Sequence, residues 1–249
     1  MKEKKYNKFV KTFDPKMWFH DFVKFTGGLP VLIDLRLKRI YLNKKQKGLF
    51  KGKYIISSNH ASFIDPIIIM NAFWTRRVCF VATKSFFEKK LWNLVFRGFG
   101  CIEIDKNNPT LKTFNEVKDK LARGHTVCIF PEGEVTNDEE IHALKSGIVM
   151  MAIMADAPIL PIYIVKRKRR IRRQIVMIGE KINYKDYLKG SLPTMEEINN
   201  ISNILLEKEI ELKNKYDSLN EEIQKLFIVL KEKILLNMQL KKNLLKLWI

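Results

Sequence analysis

Between residues 53 and 178, short runs rich in β-branched and aromatic residues alternate with segments of helical periodicity. No other feature constrains the fold as much. Strands are predicted at Lys53–Ser58, Val78–Ala82, Cys101–Ile104, Thr126–Phe130, Ile159–Val165 and Ile175–Ile178. Helices are predicted at Pro66–Phe73, Ser85–Phe96, Pro109–Arg123 and Lys145–Ala155. Pro66 and Pro109 suit a first helical turn, where a missing N–H costs nothing, and Gly124 suits the residue just past a helix. Strands separated by helices join most readily through crossovers. The pattern therefore predicts an α/β fold with a largely parallel sheet flanked by helices. With 249 residues the chain can bury a sizeable core.

Two flanking regions depart from this pattern. After Pro193 there is no Gly or Pro, and apolar residues recur at Leu205, Leu212, Tyr216, Leu219, Ile223, Leu226, Leu230 and Ile234. Alternating steps of three and four predict one long amphipathic helix, able to pair with a partner or to pack on its own domain. Its last part, residues 235–249, combines leucines with Lys241, Lys242, Lys246 and Trp248, a composition that also suits a lipid interface. At the other end, Met17–Leu37 carries Trp18, Phe19, Phe22, Phe25, Leu29, Val31 and Leu32 beside Lys24, Arg36, Lys38 and Arg39. Interfacial helices have this composition. His20, Asp21, Lys24 and Asp34 interrupt it, so neither a secretory leader nor a span is expected there. Ser146–Val165 is apolar but split by Asp156, Pro158 and Pro161, which predicts a helix followed by a buried strand. The resulting division is a basic N-terminal interfacial segment (1–50), an α/β catalytic domain (51–194) and a C-terminal amphipathic helix (195–249).

Charge narrows the partners. The chain holds 46 Lys and Arg against 27 Asp and Glu, a net charge of +19. Residues 195–249 are neutral, so the excess lies before them, with 13 bases against four acids in residues 1–50. Seven of the eight residues from Lys166 to Arg173 are basic, between two predicted strands. Such a surface attracts an anionic membrane, an acidic substrate or nucleic acid. Nucleic acid is disfavoured, because no helix-turn-helix, zinc-finger or RNP-type pattern accompanies the basic run. Cys79, Cys101 and Cys128 are widely spaced in apolar runs, which predicts reduced core thiols and a cytosolic setting rather than disulfides or a metal site.

Four segments carry candidate chemistry. The first is Asn59-His60-Ala61-Ser62-Phe63-Ile64-Asp65-Pro66, a predicted strand-to-helix turn. Residues five apart do not share a helical face, so His60 and Asp65 meet only if the chain turns between them. Asp65 can cap the helix beginning at Pro66, or it can hold the imidazole so that His60 takes a proton from a hydroxyl. Taken alone, the pair leaves both readings open. The second segment is Phe130-Pro131-Glu132-Gly133, a carboxylate and a glycine at the end of a predicted parallel strand, where α/β sheets place ligands. Glu132 could bind a hydroxyl, and Gly133 lets backbone approach a substrate. The third is the strand Cys101–Ile104 leading to Lys106, a cation able to meet a phosphate. The fourth is Pro158–Pro161, prolines within a buried strand.

Taken in chain order, the four segments resemble the glycerolipid acyltransferase family, in particular the 1-acylglycerol-3-phosphate and lysophospholipid acyltransferases. The resemblance covers residues 50–180. It implies transfer of an acyl chain from acyl-CoA or acyl-carrier protein to a glycerol-backbone hydroxyl, with 1-acylglycerol-3-phosphate as the leading acceptor; the alternatives are another lysophospholipid such as lysophosphatidylethanolamine, or a non-catalytic basic membrane-surface or nucleic-acid-binding protein. It implies that His60 is the general base and Asp65 its orienting partner. Asn59, Lys106, Glu132, Gly133, Lys145 and Pro161 form the implied substrate-binding set, with Lys106 in the place of a phosphate-binding Arg. No metal or bound cofactor is implied, and the enzyme would work on the cytoplasmic face of a membrane as a peripheral or monotopic protein. One departure concerns the acceptor: the turn continues Glu134-Val135-Thr136-Asn137, with an acid and no Arg where many lysophosphatidate enzymes have Thr-Arg-Ser.

Overall fold

The computed structural model describes residues 17–43, 52–105, 110–131, 146–167, 173–190 and 192–247. The chain divides into a compact unit ending at Leu212 and a second unit from Lys213 to Ile249. Two helices open the described part, α1 (Trp18–Thr26) and α2 (Gly28–Leu35). There follow β1 (Lys38–Tyr41), β2 (Ile55–Ser58), α3 (Asp65–Ala72), β3 (Val78–Thr83), α4 (Ser85–Glu88), α5 (Lys90–Gly98) and β4 (Ile102–Ile104). The chain continues through α6 (Leu111–Ala122), β5 (Thr126–Ile129), α7 (Gly147–Ala155), β6 (Ile159–Ile164), β7 (Ile175–Ile178), a 3-10 turn (Tyr184–Tyr187) and α8 (Met195–Leu247).

Among the described residues, seven strands form one sheet in the order β1-β7-β6-β2-β5-β3-β4. Every neighbouring pair is parallel except β6 and β7, which are antiparallel. The expected largely parallel sheet is therefore present. The basic run after Lys166 joins that antiparallel pair, and its residues 168–172 lie outside the described residues. Successive residues of the central strands point to opposite faces, and both faces are covered, so β2, β5 and β6 are buried along their length. One layer packs Ile55, Val127, Ile129 and Ile159 against α6, α7 and the first turns of α8. The other packs Tyr54, Ile56, Cys128, Leu160 and Ile162 against α3 and Leu35.

Local chemistry explains most element ends. α6 stops where Gly124 takes φ +85°, a left-handed conformation that its missing Cβ permits. α7 stops at Asp156, also left-handed, whose carboxylate accepts from Tyr184 and pairs with Lys53 and Lys185. Predicted boundaries shift in three places. The single helix expected over Ser85–Phe96 is two, because Lys89 is extended; the bend lets Phe86 and Phe87 pack on Phe96 at 5.0 and 5.7 Å. Lys38–Tyr41, expected within the N-terminal segment, is an edge strand paired with β7, so the sheet begins before residue 51. Two exposed bases at its start hide its strand character, although charge is what an edge tolerates. The C-terminal boundary also moves, since Ile198, Ile201, Leu205 and Leu212 of α8 are buried in the first unit.

Helix α1 is built inside out. Its buried residues are His20 and Lys24, whereas Trp18, Phe22 and Phe25 are exposed. Polar contacts dock it: Arg77 forks onto the Asp21 carboxylate at 2.7–3.0 Å, and Lys24 Nζ donates to the Arg76 carbonyl at 2.9 Å beneath Trp74. Burial lowers the Lys24 ammonium to about 8 and the His20 imidazole to about 4. Asp21 is raised by burial, but the Arg77 hydrogen bond and charge outweigh this and hold it below the usual range. Lys24 therefore does not stand among surface bases facing head groups, as the sequence suggested.

Candidate active site

The adjacent strands β2 and β5 end on the same edge of the sheet, and the residues that follow them meet there. After β2, the chain turns sharply through 59–65 before α3. Asn59 fixes the start of this turn: its Nδ2 donates to the Ile164 carbonyl at 3.1 Å and its Oδ1 accepts from the Ile164 N–H at 2.7 Å. Its side chain imitates a backbone partner and extends the β2–β6 ladder by one step. This engages both the amide nitrogen and the amide oxygen, so Asn59, expected among the substrate-binding residues, tethers the turn to β6.

Asp65 organises the rest. Its Oδ2 accepts from Ala61 N at 2.8 Å, from Ser62 N at 2.7 Å and from His60 Nδ1 at 3.0 Å. The carboxylate is 1% exposed and lies at the N-terminus of α3, where helix N–H groups favour negative charge. Asp65 was expected as the cap of its own helix. It is instead the first helical residue, and its oxygen wraps the turn before it. One oxygen therefore fixes both the loop and the imidazole. The bond to Nδ1 directs the ring proton there and leaves Nε2 as the basic nitrogen.

Phe130 holds the ring from its face. It stacks on His60 with centroids 4.1 Å apart and planes at 18°, and on Phe80 at 6.1 Å. Phe130 belongs to the motif after β5, but nothing in the sequence marks it as a partner of His60. The stacking depends on β5 lying beside β2, which strand order in sequence does not reveal.

His60 lines a cavity of about 1,370 Å³. Its walls include Phe80, Phe96, Phe99, Ile104, Phe114 and Met151, with few polar groups. That volume exceeds the ~300–1,000 Å³ of ordinary small-molecule sites and suits a long apolar chain. Exposed Phe63, Ile67, Phe86 and Trp92 are also among its lining residues, so its rim is apolar too. Pro161 is absent from this lining. It sits in β6 opposite Ser57, and a Cβ on Gly179 would stand 3.0 Å from its ring. Lys106, Glu132, Gly133 and Lys145 lie outside the described residues.

Beneath the site, Ser57 of β2 hydrogen-bonds the buried Glu209 of α8. Burial raises the Cys128 thiol well above its ordinary value, and the carboxylates of Asp65 and Glu209 add to this. Burial likewise brings Cys101 to about 12. All three cysteines are free.

The acyltransferase family model matches residues 38–165, just over half the chain. The chain belongs to the acyltransferase family. The matched range starts at β1 and ends just after β6, so it takes in the His60 turn, Phe130 and Pro161. Three similar proteins illustrate the relation of this acyltransferase to others. A probable 1-acyl-sn-glycerol-3-phosphate acyltransferase of Mycoplasma pneumoniae is 27% identical over 46% of this chain and 45% of its own length. The lysophospholipid acyltransferase LPEAT1 of Arabidopsis thaliana is 29% identical over 43% and 27%, respectively. A 1-acyl-sn-glycerol-3-phosphate acyltransferase of Streptococcus pneumoniae is 24% identical over 64% and 58%. The acyltransferase chain thus spans 27–58% of the length of these relatives. Its fold resembles the crystal structure of the 1-acyl-sn-glycerophosphate acyltransferase PlsC from Thermotoga maritima, with a TM-score of 0.55 and 18% identity over 80% of this chain and 79% of that one.

Proposed function

We propose that this protein moves an acyl chain from a thioester, acyl-CoA or acyl-carrier protein, to a glycerol-backbone hydroxyl of a lysophospholipid. The observation that carries this reading is the His60–Asp65 pair, with the imidazole clamped at its edge and face on the wall of a large apolar cavity. His60 Nε2 takes the hydroxyl proton as the oxygen attacks the thioester carbonyl. Asp65 stabilises the imidazolium, which then returns the proton to the departing thiolate. The acyl chain occupies the cavity. The thioester is already activated, so the transfer calls for no metal or bound cofactor. 1-Acylglycerol-3-phosphate, giving phosphatidate, is the acceptor named for two of the relatives above, and LPEAT1 keeps other lysophospholipids open as the alternative.

The lysophospholipid acceptor resides in a membrane. Among the described residues no helix is long and apolar enough to cross one. Support for surface attachment comes from α1, whose Trp18, Phe22 and Phe25 face outward while its polar residues face the protein. A water-facing helix has the opposite polarity. Three free thiols suit the cytoplasmic face.

The test offers purified protein mixed lysophospholipids with acyl-CoA and acyl-carrier protein, and identifies products by mass spectrometry. Wild type yields diacyl product and His60→Ala yields none at unchanged fold and membrane binding. Full activity in His60→Ala would remove His60 from the mechanism.

A further inference from the structure

The stripe that docks the first turns of α8 onto the compact unit does not stop where that unit ends. Ile198, Ser202, Leu205, Glu209 and Leu212 lie at alternating steps of four and three and are all buried. The same steps continue through Tyr216, Leu219, Ile223, Leu226 and Leu230 in the second unit. There the burial is lost: Ile223, Leu226 and Leu230 are 62%, 70% and 56% exposed. From Leu205 to Leu247, leucine holds six of the seven positions spaced seven apart, with Lys233 the exception. The intervening positions are Glu209, Tyr216, Ile223, Leu230, Asn237 and Leu244. In heptad letters the leucines are d and the second set is a.

We infer that residues 213–247 pair with the same helix of a second copy of this chain, parallel and in register. Three observations select this occupant. The first is the period. A straight helix turns every 3.6 residues, so a strict seven-residue repeat drifts about 20° per heptad unless two helices coil around each other. A helix lying on lipid has no reason to keep that repeat through α8.

The second observation is the identity of the seam residues. Leucine at d with Ile223 at a is the pairing favoured in parallel two-stranded coils. By sequence Asn237 falls at a, the position where a single polar residue specifies register in parallel coils. Lys233 at d has a stem long enough to carry its ammonium out to water. Phe227 and Val229, exposed at e and g, flank the seam and widen the apolar contact.

The third observation is continuity. The register by which α8 packs on its own domain passes into the second unit without a skip. This inference does not depend on the proposed acyl transfer.

The experiment uses the full chain. Molar mass by light scattering is compared between wild type and Leu226→Glu/Leu230→Glu, and cross-linking is compared between Ile223→Cys at a and Gln224→Cys at b, with wild type as the background of native thiols. The expected result is a wild-type mass about twice that of the glutamate variant, with intermolecular cross-links through position 223 and not 224. A monomeric wild type, a mass unchanged by the glutamates, or equal cross-linking at both positions would overturn the inference. Flotation with phosphatidylcholine vesicles containing phosphatidylglycerol separates the competing occupant. If wild type is monomeric and the glutamates abolish flotation, the seam binds lipid and the pairing is wrong.

Discussion

Replacing Asp65 by Asn separates the two tasks that one oxygen performs. The amide keeps an acceptor for Ala61 N and Ser62 N, so the turn should persist, but it loses the charge beside His60. At 3.0 Å and an effective dielectric of ~20, attraction between carboxylate and imidazolium reaches about 5 kcal/mol. His60 is partly open to water, with a side chain 16% exposed. Solvent therefore takes up part of this, and about 3 kcal/mol is a fair share for the transition state. At about 1.4 kcal/mol per decade, the turnover number should fall roughly a hundredfold. The assay follows thiol release from acyl-CoA with a thiol reagent at saturating lysophospholipid, beside thermal unfolding of the same preparation. Asp65→Asn should unfold within a few degrees of wild type. Asp65→Ala removes the acceptor of three hydrogen bonds and should cost stability by about 3 kcal/mol or more. Turnover in Asp65→Asn within a few-fold of wild type would refute the reasoning, leaving Asp65 as a strut of the turn alone.

Three further outcomes follow from the geometry. Asn59→Ala strands the buried N–H and C=O of Ile164 and should destabilise the fold by about 2–4 kcal/mol in urea titrations, with activity falling as the turn loses its tether. His20 is neutral and buried, with a folded value of about 4 against an ordinary 6.5, so below pH 6.5 the unfolded chain takes up a proton that the folded chain refuses. Stability should therefore drop as pH falls from 6.5 to 4, by up to about 3 kcal/mol, and His20→Leu should remove that slope in melting curves. Gly100→Ala should cost about 2 kcal/mol, because φ is +72° and the new Cβ would stand 2.6 Å from Met17 Sδ; an unchanged melting temperature would count against that packing.

The sequence by itself determined the layer architecture. Short apolar runs bounded by polar, Gly or Pro residues mark segments buried on both faces, and they placed β2, β5, β6 and α7 within two residues of where they lie. It also showed that His60 and Asp65 could meet, since a helix starting at Pro66 calls for a turn between them. Its failures share a cause. Lys38–Tyr41 reads as basic surface, and its pairing with β7 is a contact across more than a hundred residues. α1 reads as an interfacial helix, but the Asp21–Arg77 and Lys24–Arg76 contacts that turn its polar side inward span more than fifty residues. Phe130 on His60, and Asn59 on Ile164, depend on β5 and β6 flanking β2. A sequence states what each segment can bury. Which segment it is buried against is fixed by strand order, and strand order exists only when the whole sheet has formed.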